Sequence, residues 1–234
     1  MFYFDWTYIV ILPALIFSLW ASARVNSTFK KYSRLNSRGG YTAAMACRAV
    51  LDRNGLYSVR IEHINGNLTD HYDPRDNVIR LSDTVYNSTS AAAIGVACHE
   101  AGHAIQHAEN YLPIKIRQAI IPLTNFGSSI GLIIFILGVI LTAISQSYIF
   151  VAYIGIALFS MTAVFQLVTL PTEFNASRRA IAAIRDSGIL QADELAGASE
   201  VLKAAALTYV AALAASLAQV LRLLLILGRN SRRR

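Results

Sequence analysis

The residues most suited to chemistry lie in the segment 98–103, Cys-His-Glu-Ala-Gly-His. His99 and His103 are four residues apart, so on a helix they share one face and both imidazoles can reach one metal ion. Glu100 lies at a different angle around that helix, so its carboxylate can reach a metal-bound water and take its proton. Two imidazoles suit Zn²⁺, which acidifies bound water and polarises a carbonyl. The spacing therefore predicts one hydrolytic zinc site per chain.

A catalytic zinc needs a third protein ligand and one open position. A third histidine six residues after His103 would complete one zinc-peptidase pattern, but Glu109 occupies that place. His107 lies on the same helical face, yet a helix holding one ion through residues 99, 103 and 107 would have to bend sharply. We expect His107 to support the site or cap the helix instead. The alternative is an acidic residue on a second helix, and the candidates are Glu173, Asp186, Asp193, Glu194 and Glu200.

Glu173 is the acidic residue best placed to be that ligand. It follows Pro171, which favours the first turn of a helix, just past an apolar stretch. A carboxylate there could equally stabilise the helix N-terminus, so the residues alone leave both roles open.

A hydrolytic site also needs a hydrogen-bond donor for the oxyanion. The candidates are His71, His107, Arg178, Arg179 and Tyr209, and each could equally be an ordinary packed or interfacial residue. Cys98 is expected to be a small helix residue. With Cys47 as the only other cysteine, the chain has no disulfide scaffold.

The composition indicates a membrane protein. Of the 234 residues, 55% are hydrophobic and 15% are charged, whereas a soluble domain carries about 25% charge. The high apolar content excludes disorder, and the glycines lack the three-residue period of collagen. The net charge of +7 comes from clusters beside apolar runs. Such clusters are typical of the ends of membrane segments, so we expect a lipid partner and no nucleic acid.

Four apolar segments approach the roughly 20 residues that a membrane helix needs: 6–23, 126–144, 148–170 and 204–227. No basic residues precede the first, so it is expected to be a retained anchor rather than a signal peptide. Three polar residues, 145–147, separate the second from the third and predict a tight hairpin. The fourth contains Arg222, which must snorkel, face other helices or mark a helix lying partly at the interface.

The basic loops predict the orientation. Lysines and arginines follow the first and third spans and precede the second, which places 24–125 and 171–203 in the cytoplasm. If the fourth segment crosses the membrane, the basic tail lies outside the cytoplasm, against the positive-inside rule. If that segment bends back, the tail stays in the cytoplasm and obeys the rule. Its four arginines are Arg229, Arg232, Arg233 and Arg234.

The polar middle of the chain predicts a small folded region. Thr42 can cap a helix that ends at Asn54-Gly55, and a second helix is expected from 91 to 110. Between them, alternating residues and the turn Asn65-Gly66 predict a three-stranded antiparallel meander over 58–64, 67–72 and 78–81.

The expected fold is thus a mainly α membrane protein with a small cytoplasmic α+β, zincin-like domain. The expected segments are an N-terminal membrane anchor (1–24), a cytoplasmic zincin-like region (25–125), a transmembrane hairpin (126–170), cytoplasmic helices that carry the candidate acidic ligands (171–203) and a membrane-associated C-terminal helix with a basic tail (204–234).

Four segments resemble the YugP-type neutral zinc metallopeptidases of bacterial membranes: 69–75, 78–82, 99–107 and 171–180. The arrangement is also similar to HtpX-type membrane peptidases, gluzincins whose glutamate ligand follows a membrane hairpin. The resemblance implies Glu173 as the third ligand and a bacterial cell membrane as the location. Asn175 and Ser177 occupy the stretch where the wider gluzincin pattern often has an acid. The family resemblance also implies that the 67–81 strands form the edge against which an extended peptide substrate pairs.

Two other functions compete with a membrane zinc peptidase acting on protein substrates. A site-2-type intramembrane protease has a similar motif inside a spanning helix, but here the apolar run before His99 covers only about 12 Å. A non-enzymatic scaffold could use zinc to join helices, and it would need a fourth protein ligand. Glu100 would be replaceable in a scaffold and essential in an enzyme.

Overall fold

The computed structural model describes residues 6–232. In that range the chain forms seven α-helices and three short strands, which confirms the expected mainly α fold with a small α+β region. The helices are α1 Tyr8–Tyr32, α2 Ala43–Arg53, α3 Ala91–Ala108, α4 Leu112–Leu141, α5 Ile149–Phe159, α6 Met161–Ser187 and α7 Ala192–Arg232. The strands are β1 Arg60–Ile64, β2 His71–Asp73 and β3 Val78–Ser82.

Four helical stretches are long and apolar enough to cross a membrane: Tyr8–Tyr32, Leu112–Leu141, Gln146–Ser187 and Ala192–Arg229. Each overlaps one of the four apolar segments predicted from the sequence. Large apolar side chains on them face outward, including Ile133 at 65% exposure and Leu19 at 64%. Outward-facing leucine and isoleucine on consecutive long helices suit a lipid surround.

The chain divides into two compact units. The apolar unit contains residues up to 20, 115–170 and 208 onward, and the metal-site unit contains 21–114 and 171–207. The five-segment division expected from the sequence stays a prediction.

Two helices of the apolar unit, α4 and α5, pack backbone to backbone. A Cβ placed on Gly138 would lie 2.2 Å from the backbone nitrogen of Ala152, and one on Gly155 would lie 2.3 Å from that of Phe135. The polar break between them forms a short 3₁₀ turn, with the Ser145 hydroxyl accepting from the Ser147 N–H. Glycine at both crossing points therefore sets the close spacing of this predicted hairpin.

The fourth apolar segment does not bend back. α7 is one continuous helix of 41 residues, about 60 Å long. Arg222 donates from Nε to Thr7 Oγ1 at 3.2 Å, and its guanidinium carbon lies 3.8 Å from the centre of the Tyr8 ring. The arginine thus contacts the N-terminal end of α1, one of the alternatives left open by the sequence. Of the basic tail, Arg233 and Arg234 lie outside the described residues.

The small sheet differs from the predicted meander. Its order is β1-β3-β2, with β1 parallel to β3 and β2 antiparallel to it. Asn65-Gly66 is therefore not a two-residue hairpin turn. The carboxylate of Asp83, just after β3, accepts from the Gly66 N–H at 2.8 Å and bonds His63 Nε2 at 2.7 Å. These contacts fix the end of β1 beside the end of β3.

Apolar content also favours β3 as the central strand. Val78, Ile79 and Leu81 are completely buried, while the residues of β1 and β2 are partly exposed. A central strand is covered along both edges, so the most apolar of the three gains most from that place.

The helix that carries the histidines has an apolar packing partner. Ser90 caps α3 by accepting from the Ala93 N–H, and Thr42 caps α2 as predicted, accepting from the Met45 N–H. Completely buried residues of both helices, including Val50, belong to one apolar core. The motif is thus carried on a packed helix whose bounds match the sequence prediction within two residues.

The sequence predicts that the helix carrying Glu173 begins at Pro171, and this prediction is wrong. α6 runs without interruption from Met161 to Ser187, with the proline inside it. Proline removes a backbone donor and costs a helix interior about 3 kcal/mol. Burial beyond it offsets that cost, because Ala176, Ala180 and Ile184 are completely buried. Glu173 is therefore an interior residue of α6, which excludes the alternative role at a helix N-terminus.

The α4–α5 crossing gives a first prediction. Gly138→Leu should separate the two helices, because even a Cβ meets the Ala152 backbone. Overpacking of about 1–3 kcal/mol would lower the unfolding temperature in detergent by about 2–12 °C. Gly228→Leu on α7 is the matched control, since a Cβ there meets nothing within 4 Å. Equal unfolding temperatures for the two variants would contradict the crossing.

Candidate metal centre

Three side chains from α3 and α6 converge on one point. Glu173 Oε2 lies 3.2 Å from His99 Nε2 and 3.4 Å from His103 Nε2. The possible ligand atoms of all three residues lie within 4.8 Å of one another. The sequence prediction named these three residues, and the structure brings them together within the metal-site unit.

The chemistry of this donor set fits zinc. Zinc–nitrogen and zinc–oxygen bonds of about 2.0–2.1 Å give a tetrahedron whose edges are about 3.3–3.4 Å. The two nitrogen–oxygen distances match such edges. The same distances also suit a hydrogen bond, so the decisive feature is the combination of two imidazoles and one carboxylate. These ligands leave one tetrahedral position for water, the pattern of a catalytic zinc site.

Burial makes a cation at this point favourable. Glu173 is only 3% exposed, and the His99 and His103 side chains are 14% and 12% exposed. A buried carboxylate is strongly disfavoured unless it is paired with a cation or coordinates a metal. The two imidazole rings lie edge to face against each other, with centres 4.7 Å apart, and both direct Nε2 toward the carboxylate.

The other nitrogen of each ring has a partner. His103 Nδ1 bonds Gln106 Oε1 at 3.0 Å, and His99 Nδ1 bonds Ser177 Oγ at 3.1 Å. Metal-binding histidines usually use their second nitrogen in this way, which fixes the orientation of the ring. Ser177 lies in the stretch where the wider gluzincin pattern often has an acid. Here a hydroxyl orients His99.

Gly102, inside the motif, allows the two helices to touch. A Cβ at this position would lie 2.6 Å from the carbonyl oxygen of Ala176 on α6. That distance is shorter than any van der Waals contact, so only glycine fits without a shift of one helix. The close approach brings α6, and with it Glu173, within reach of the histidines on α3.

Glu100 lies beside the ligand group and is held by the sheet. It is 8% exposed, and its Oε2 accepts from the backbone N–H of Tyr72 in β2 at 2.9 Å. Burial raises the pKa of the Glu100 carboxyl, while the neighbouring His99 and His103 lower it, and burial prevails. A carboxyl with a raised pKa is better matched to proton transfer near neutral pH.

Three residues predicted from the sequence as supporting groups or oxyanion donors differ in their contacts and exposure. The His107 ring lies edge to face against the Tyr72 ring, with centres 5.4 Å apart, so it borders the strand that holds Glu100. His71 is exposed and bonds the Thr69 carbonyl through Nδ1. Arg178 is exposed on α6, about 140° around the helix from Glu173.

The surroundings of two further candidates and of a cysteine are also defined. Arg179 bonds Asn175 and Glu109, and Tyr209 belongs to the apolar unit. Burial raises the pKa of Cys98 to about 12, so its thiol stays protonated and is a poor metal ligand.

Sequence reasoning missed two groups that contact the site. Gln106 comes three residues after His103, and that helical spacing could have indicated it. The Tyr72 N–H is a backbone group, so no residue type could have indicated its role.

Comparison with known proteins assigns the chain to a family. Residues 7–228 match the family described as "Putative neutral zinc metallopeptidase". The chain is 46% identical over 215 residues to "Putative membrane protease YugP" of Bacillus subtilis (strain 168), covering 92% of this chain and 93% of that protein. No solved structure matches the chain. A membrane protease as relative and four long apolar helices indicate an integral membrane protein. The chain therefore belongs to the family of neutral zinc metallopeptidases that matches nearly its whole length.

Proposed function

We propose that the chain is a membrane zinc endopeptidase with its hydrolytic site on the cytoplasmic side. His99, His103 and Glu173 would hold one zinc ion, and Glu100 would be the general base. The observation that carries this proposal is the convergence of the two Nε2 atoms on Glu173 Oε2, with Glu100 on the same helix beside them. The relation to the gluzincins remains part of the proposal.

The mechanism assigns proton transfer to Glu100. When bound, zinc supplies an electrophile that polarises the scissile carbonyl and acidifies the attacking water. The Glu100 carboxylate takes the proton of that water and passes it to the nitrogen of the leaving amine. The Tyr72 N–H holds the carboxylate in place between these transfers.

The outer edge of β2 offers a place for the substrate backbone. Tyr72 lies opposite Ile79 of β3, but its N–H is donated to Glu100, so this group points away from β3. An extended peptide that pairs along this edge would run beside the general base. Within the 67–81 region expected to bind a peptide, β2 is therefore the strand against which the substrate would pair.

The two competing functions receive less support from the described residues. A structural zinc site needs four protein ligands, and the group that could hold an ion here consists of three. A site-2-type protease needs its motif inside a spanning helix. α3 has 18 residues and is not among the candidate spans found in residues 6–232.

Basic residues support the cytoplasmic orientation. Two lysines, Lys30 and Lys31, follow the first apolar segment, and Lys115 precedes the second. Most residues of the metal-site unit lie between these two segments along the chain, so the positive charge is on their side of the membrane. Glu173 follows the apolar stretch of α6 by only a few residues along the chain. We therefore propose membrane proteins and membrane-proximal proteins as substrates.

Replacement of the general base tests the reaction. Glu100→Gln should keep about one zinc per chain and lower the rate of peptide hydrolysis by about 10²–10⁴, because the amide cannot accept the proton. Zinc content and casein cleavage would be measured in detergent for both proteins. Glu200→Gln is the matched control, since Glu200 pairs with exposed Lys203 on α7. Wild-type cleavage rates in Glu100→Gln, or a wild type without zinc, would contradict the proposal.

Replacement of Gly102 tests the approach of the helices. Gly102→Ala should weaken zinc binding by about 5- to 150-fold, because overpacking of about 1–3 kcal/mol separates α3 from α6. A chromophoric chelator that competes for zinc would measure the dissociation constant. Helix propensity alone predicts that Gly102→Ala stabilises α3, because alanine favours a helix more than glycine does, and so predicts no loss of zinc binding.

Gly228→Ala is the control for that propensity, because its Cβ would enter open space. It should leave zinc binding unchanged. If both glycine variants bind zinc as tightly as the wild type, contact between the helices does not govern ligand geometry.

A further inference from the structure

One buried amide connects the two helices of the metal centre. Gln106 of α3 is completely buried. Its Oε1 accepts from His103 Nδ1 at 3.0 Å, and its Nε2 donates to the Thr172 carbonyl at 2.8 Å and to Asn175 Oδ1 at 2.9 Å. All three partners are polar groups beside or within the ligand set, and the amide satisfies each of them.

The partners determine which way this amide points. The Thr172 carbonyl can only accept a hydrogen bond, so it must face the NH₂ group of Gln106. The amide oxygen of Gln106 then faces His103. A backbone carbonyl of α6 therefore fixes the orientation of a side chain on α3.

Asn175 reinforces the same orientation. Its Oδ1 also accepts from Arg179 Nε at 2.7 Å, and a guanidinium can only donate. The oxygen of Asn175 is therefore the atom that faces the Gln106 NH₂ group. Arg179 is itself held by Glu109 at 2.7 Å and lies over the Tyr111 ring. The chain of hydrogen bonds thus ends in a charged pair at the C-terminal end of α3.

The amide orientation determines the tautomer of His103. The oxygen of Gln106 can only accept, so the neutral imidazole carries its hydrogen on Nδ1. Nε2, which lies 3.4 Å from Glu173 Oε2, then keeps its lone pair for a metal ion.

His99 lacks an equivalent constraint. Its Nδ1 partner is the Ser177 hydroxyl, which can both donate and accept. Ser177 can orient the ring of His99, but it is compatible with either tautomer.

We infer that Gln106 is a positioning residue that fixes the zinc-binding tautomer of His103 and ties it to Thr172, the neighbour of Glu173. This inference rests on the proposed zinc site. A single amide thereby couples two ligands that come from different helices.

Zinc dissociation constants test this role. They would be measured by competition with a chromophoric chelator for the wild type, Gln106→Met and Ser177→Ala. Loss of a partner to a metal-binding histidine weakens metal binding by about 10–100-fold, and we expect a loss of this size in Gln106→Met. Ser177→Ala should lose less than about 10-fold, because the serine does not select a tautomer. Gln146→Met, in the exposed turn between α4 and α5, is the matched control and should bind as the wild type.

A spectrum separates ligand positioning from general damage to the fold. The absorption bands of bound Co²⁺ report the geometry of the ligands, and we expect them to shift in Gln106→Met but not in Gln146→Met. If Gln106→Met does not fold, Gln106→Asn replaces it. That variant keeps the amide but is one methylene too short to bridge His103 and Thr172, so the same loss and shift are expected.

Zinc binding within about twofold of the wild type in the Gln106 variant, unshifted Co²⁺ bands, or an equal loss in Ser177→Ala would overturn the inference. A wild type that binds no zinc would instead overturn the proposed function, so the two failures are distinguishable.

Discussion

The structure of the metal-site unit depends on one buried carboxylate. Glu173 is almost fully shielded from water, and such a group is stable only beside positive charge or a metal ion. This requirement brings α6 against α3, because the imidazoles that would share a metal ion with the carboxylate lie on the other helix. The close approach in turn demands glycine at 102, where the carbonyl of Ala176 leaves no room for a Cβ. Ligand chemistry and helix packing are therefore one constraint.

α6 illustrates how such a constraint overrides local preference. Pro171 would ordinarily end or begin a helix, yet the helix continues through it and buries three apolar residues beyond it. Continuity keeps Glu173 on the same rigid element as Ser177, one turn later, which contacts His99. A break at the proline would leave Glu173 near a frayed helix end, with less precise placement.

Residue spacing and apolar segment length in the sequence were enough to predict those features that depend on neighbouring residues alone. The placement of His99, Glu100 and His103 on one helix follows from helical periodicity, and the four apolar segments follow from the thickness of a bilayer. The order of the strands did not follow, because Asp83 fixes the end of β1 through contacts distant in sequence. Gln106 was missed for a related reason. Its role depends on the Thr172 carbonyl, and no pattern within α3 shows that group.

The bond between Glu100 and the backbone of Tyr72 has an evolutionary consequence. The donor is a main-chain N–H, so any amino acid except proline supplies it. The identity of the side chain at position 72 can drift while the support of the Glu100 carboxylate is inherited unchanged. Relatives could thus diversify the surface next to Glu100, where the proposed substrate would lie, without losing that support.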